Sequence, residues 1–194
     1  MADSVLPSEI EPHELRSAQL QLLILGLAVL LAAGLVVWLL VRSDEPSSPA
    51  QVAGGGPTLV SRGQLARLAE SVGHPIYWAG PRDGFSYELT ATTDGRIFVR
   101  YLPKDVAAGD PRPNFLAVGT YSQAAAYADL KQAASRKGFV WVGLPNDGLM
   151  VFASKRPQSV YLGYPGAKYQ VEVFAPAAET ARRLVLKGTI VPIR

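Results

Sequence analysis

From Leu22 to Val41 the chain holds twenty consecutive residues without a charge or a side-chain amide. At about 1.5 Å of rise per residue, a helix of that length spans roughly 30 Å, the thickness of a bilayer's hydrocarbon core. Trp38 sits one turn before Arg42, where an indole ring suits the headgroup boundary. A cleaved signal peptide fits less well. It calls for a basic leader and an apolar core of roughly 7–15 residues, and here Asp3, Glu9, Glu11 and Glu14 outnumber Arg16. With no cysteine to acylate, a lipoprotein is excluded. A helix buried in a domain would need neighbours on every side, and no adjacent segment supplies them.

Periodicity of a different kind begins at Ser61. Ser61 and Gln64 form a capping-box pair, and Leu65, Leu68, Ala69 and Val72 follow at helical spacing up to Gly73. Pro75 to Trp78 predicts a strand. Phe85 to Leu102 predicts a hairpin, two alternating runs folded at Asp94-Gly95. A proline-rich surface loop is expected over 103–114, then a strand from Phe115 to Tyr121 and an alanine-rich helix over 123–137. Strands follow from Phe139 to Leu144, Leu149 to Ser154, Val160 to Tyr164 and Tyr169 to Phe174, with turns at Asn146-Asp147-Gly148 and Pro165-Gly166. Pro176 opens a last helix that Lys187-Gly188 closes. Thr189 to Ile193 then predicts a strand that Pro192 confines to a sheet edge. Three times a helix ends in glycine before a short apolar strand, at Gly73, Gly138 and Gly188, which suggests repeated β-α-β units.

Between these regions, residues 43–60 hold Pro46, Pro49, Gly54, Gly55, Gly56 and Pro57 without periodicity, the composition of a linker. The organisation predicted is a tail at 1–19, a transmembrane helix at 20–42, a Pro/Gly/Ser-rich linker at 43–60 and a soluble domain at 61–194. That domain reads as α+β, with a mostly antiparallel sheet and about three helices. Localisation follows: a single-pass protein of the cell membrane. Arg16 and Arg42 flank the span equally, and the linker and terminal domain tilt the expectation toward a domain outside the cytoplasm.

Catalytic chemistry finds little material. Without cysteine there are no disulfides, thiolate zinc sites or cysteine nucleophiles. His74 is the domain's single histidine, and no G-x-S-x-G elbow accompanies it. Asp83, Asp94, Asp110 and Asp147 each stand next to or near glycine, but on separate turns, which turn geometry explains better than calcium binding. Gly163 to Lys168 lacks the spacing of a phosphate loop, and Tyr169 stands where Ser or Thr is required. No catalytic residue, cofactor or metal is therefore expected.

Charge says more. From Ser61 onward, 17 Lys and Arg stand against 10 Asp and Glu, a net +7, while residues 1–60 carry 2 against 6. A basic domain near a membrane is drawn to anionic lipid surfaces or anionic polymers. Lys155, Arg156 and Lys168 flank Tyr161, Tyr164 and Tyr169, a candidate cationic and aromatic ligand patch. No nucleic-acid motif accompanies the charge.

Leu116-Ala117-Val118-Gly119-Thr120-Tyr121-Ser122, continuing to Leu130, resembles the opening of a SPOR domain, whose first strand enters its helix through a V-G-[ST]-[FY] turn. Val160 to Pro165 is similar to a later strand of that family ending in V-G-P. The likeness spans residues 116–138, with Ala126-Tyr127 where the family has Asn-Ala. It implies a membrane span, a linker and a terminal domain that binds peptidoglycan outside the cell membrane. The reading of the residues themselves is a single-pass, non-catalytic binding module, its partners the bilayer and an anionic polymer, lipid surface or protein. An accessory subunit of a membrane complex is the alternative.

Overall fold

A computed structural model describes residues 56–193, and the expected span, with Leu22, Trp38 and Val41, lies outside them. Among the described residues no helix is long and apolar enough to cross a membrane. The described residues form an α+β fold: an eight-stranded, wholly antiparallel sheet, three helices and a small two-stranded sheet.

In chain order these are β1 (Thr58–Val60), α1 (Arg62–Val72), β2 (Tyr77–Trp78), β3 (Phe85–Ala91), β4 (Arg96–Pro103) and β5 (Ala117–Ser122). Then come α2 (Ala126–Ala134), β6 (Phe139–Gly143), β7 (Leu149–Ala153), β8 (Ser159–Gly163), β9 (Tyr169–Phe174), α3 (Ala178–Leu186) and β10 (Val191–Pro192). The large sheet runs β1-β3-β4-β5-β9-β8-β7-β6, and β10 pairs with β2.

Local chemistry sets most boundaries. The Ser61 hydroxyl accepts from the Gln64 N–H while the Gln64 side chain accepts from the Ser61 N–H, so the capping box closes at α1. Gly73 ends α1 at φ 69°, the left-handed turn that a Cβ would strain. Two expectations change. Thr58–Val60, placed in the linker by composition, pair with β3 and belong to the sheet. Pro57 and the glycines before it dominate any compositional window over so short a strand. The alanine-rich helix covers only 126–134, because Gln123 N–H bonds back to the Lys168 carbonyl and delays the helix.

Alternation along the strands makes two faces. One buries Ile97, Val99 and Tyr101 of β4 with Val118, Val160, Leu162, Val171 and Val173. Leu65 of α1, Ala181, Leu184 and Val185 of α3, and Tyr77 and Trp78 of β2 close that core. The small sheet is stitched to it by polar backbone contacts. Tyr77 N–H donates to Thr120 Oγ1 at 3.0 Å, and Ala79 N–H to the Tyr101 hydroxyl at 2.7 Å. On the opposite face α2 seats Leu130 and Ala133 over Leu149, Val151 and Tyr161. The loop between β4 and β5 lies over the other half of that face. It is held by Arg100, which donates to the Asp110 and Arg112 carbonyls at 2.9 and 3.2 Å.

Candidate functional site

The patch anticipated around β8 does not form as one surface. Lys155 and Arg156 lie on the turn before β8, whereas Tyr164, Lys168 and Tyr169 lie beyond its other end. Five strand residues put the two groups roughly 15 Å apart. Tyr161 points inward between them and is buried, its hydroxyl donating to Glu172 Oε1 at 3.2 Å. Tyr169 is half-buried, its hydroxyl 3.2 Å from that of Tyr77. Tyr164 packs over Gly148, where even a Cβ would come within 2.5 Å of the ring.

The structure instead brings together cations that the sequence separates. β6 and β7 pair in a register that sets Phe139 opposite Ala153. The residues just outside that pair, Arg136 and Lys137 on one side and Lys155 and Arg156 on the other, thereby meet at one end of the sheet. Backbone bonds fix the junction: Ser154 N–H to the Gly138 carbonyl at 2.8 Å, Arg136 N–H to the Ala133 carbonyl and Arg156 N–H to the Ala153 carbonyl, both at 3.0 Å. Gly138 allows the sharp exit from α2 at φ 90°. Lys137, Lys155 and Arg156 are exposed and Arg136 half-buried. Arg96 pairs with Asp94, Arg100 with Glu88, Arg112 with Asp110 and Arg182 with Glu179, all of them away from these two turns. The negative end of the α2 dipole beside it favours these cations.

The signal for this cluster was available. Positions 136 and 156 are equidistant from Asn146, so a hairpin folded at the Asn146-Asp147 turn must place them together. Both turn residues adopt left-handed backbone, φ 58° and 57°, as a tight hairpin turn requires.

Two further polar groups are buried where they bind structure. Glu88, wholly buried, takes Arg100 Nη1 at 2.6 Å and the Gly109 N–H, tying the β4–β5 loop to the sheet. Glu172, 8% exposed, accepts from the hydroxyls of Tyr121 and Tyr161. Burial pushes its carboxyl above the usual range against the opposing pull of those hydroxyls and Arg96. Burial and the carboxylate likewise push both tyrosines well upward.

His74 follows the α1 cap, its Nδ1 3.0 Å from the Pro75 carbonyl, and Glu70 is the one carboxylate lining the surface groove beside it. Among the described residues no group of three or more His, Asp and Glu is arranged to hold a metal. No protein-family model, curated protein or solved structure matches the chain. The Leu130 side chain of α2 rests on Gly163 of β8, where an added Cβ would lie 2.8 Å from its Cδ1.

Proposed function

We propose that this chain is a membrane-tethered, non-catalytic binding module whose α+β domain holds an anionic polymer at the end of the β6–β7 pair. The convergence of Arg136, Lys137, Lys155 and Arg156 on two adjoining turns carries the reading. The two turns carry four basic residues and no acidic one in sequence, which gives a local positive potential, and the exposed Lys137, Lys155 and Arg156 can follow a repeating polyanion. The expected span at 20–42 and a linker that ends before β1 at Thr58 then keep the domain near a membrane.

The test uses the full chain in detergent with heparin as polyanion and dextran as neutral control. Heparin binds, and raising salt from about 0.05 M to about 0.5 M weakens it at least tenfold. Lys137→Glu with Lys155→Glu weakens low-salt binding about tenfold more, whereas Lys168→Glu, at the other end of β8, changes it less than threefold. Equal binding to dextran, or affinity unmoved by salt and by the double reversal, overturns the proposal.

A SPOR-type reading, with peptidoglycan glycan strands as ligand, is favoured by one observation, the meeting of Leu130 and Gly163. It predicts binding to uncharged glycan strands that survives high salt.

A further inference from the structure

β6 is the last strand of the large sheet, and among the described residues only β7 pairs with it. Its sequence, Phe139-Val140-Trp141-Val142-Gly143, carries no lysine, proline or bulge of the kind that guards an edge. The other edge is guarded: β1 is three residues long and follows Pro57 directly. Ser154 N–H donates to the Gly138 carbonyl and Leu144 N–H to the Gly148 carbonyl, both at 2.8 Å. By the antiparallel alternation, Val140 and Val142 turn their backbone groups to β7. Phe139, Trp141 and Gly143 turn theirs outward.

We propose that β6 pairs antiparallel with β6 of a second copy of this chain, centred on Trp141, to join two eight-stranded sheets into one. The outward set is symmetric about Trp141, so each donor on one copy meets an acceptor on the other: Trp141 with Trp141, Phe139 with Gly143. The pairing also covers apolar side chains that the single chain leaves wet, Trp141 at 58% exposure and Val140 at 40%. Trp141 meets its counterpart on one face, and Val140 meets Val142 on the other.

Charge selects this partner and this direction. The β6 strand starts at the Arg136–Lys137 end and finishes at the Asn146–Asp147 turn. Antiparallel pairing brings the basic end of each copy beside the exposed Asp147 of the other. Parallel pairing would set like charges together. A five-residue strand on each side buries less than a stable interface usually needs, so the dimer is weak and forms only at high protein concentration.

The absence of cysteine allows a clean reporter. In the full chain in detergent, Trp141→Cys oxidises to an intermolecular disulfide, because backbone-bonded antiparallel partners stand about 5.5 Å apart at Cα. Val140→Cys, which faces Val142 and not itself, cross-links at least tenfold more slowly. Trp141→Pro removes an outward N–H and no bond to β7, and Trp141→Lys adds like charge at the axis. Both shift light scattering at about 0.2 mM from dimer to monomer while far-UV circular dichroism stays native. A wild-type monomer at that concentration overturns the proposal. So does a dimer that neither substitution affects, or equal cross-linking at 140 and 141.

Discussion

At the scale of single residues, the buried carboxylates show what the tertiary environment does to ordinary side chains. Glu172 is held among two tyrosine hydroxyls with its pKa raised by burial. A raised carboxyl binds its proton more tightly folded than unfolded. The stability it contributes is therefore full below the unfolded value of 4.5 and declines as pH rises through the folded one. Glu172→Gln keeps an oxygen for Tyr161 and removes the charge. Urea unfolding from pH 4 to 8 should show wild type losing stability relative to Glu172→Gln as pH increases. Parallel curves would mean that the site stays ionised at no cost. Asp110 works the other way: its bidentate contact with Arg112 lowers it to about 2, so its contribution is present above the usual carboxylate range and lost on acidification. Neither role follows from composition. Glu88, by contrast, could be paired with Arg100 on paper, since the Asp94-Gly95 turn folds those positions opposite one another.

At the scale of elements, the clearest local signals are also the ones that fix geometry. The Ser61–Gln64 box, the Asp94-Gly95 turn and the glycines at 73, 138 and 188 each act within a few residues, so a sequence pattern suffices to place them. Gly163 is different. Its backbone is ordinary strand, and its smallness serves α2, a helix about thirty residues earlier, through Leu130. We expect Gly163→Ala to cost about 1 kcal/mol, since the end of Leu130 can turn aside, and Gly163→Val about 2–3 kcal/mol by lifting α2 from β8. Urea midpoints would measure both. Equal, negligible losses would show that α2 does not depend on close approach there.

At the scale of the whole molecule, the repeated helix-glycine-strand pattern resolves into two kinds of unit. After α1 and α3 the chain leaves the large sheet, and β2 and β10 pair with each other on the face those helices cover. After α2 it stays, and β6 becomes the far edge. That asymmetry leaves β6 as a five-residue edge strand at the far end of the sheet from the short β1. Orientation in the cell belongs to this scale too. With a tag after Arg194, protease added to intact cells should remove the tag if the domain lies outside the cytoplasm, the side that the linker and terminal domain led us to expect. Full protection would move the search for polyanions to the cytoplasmic side and end the SPOR-type reading.

The sequence by itself determined the α+β class, nearly every strand and turn, the capped first helix and the surplus of positive charge. Each is written in contacts a few residues long or in totals. Only the tertiary structure decided where the charge gathers and which polar groups go inside. Lys155 and Arg156 read along the chain as neighbours of Tyr161 and Lys168, yet strand pairing joins them to Arg136 and Lys137 instead. The physical reason is that a strand alternates its side chains and its neighbours lie across the sheet. Hydrogen-bond register, a long-range property, therefore outranks proximity in sequence.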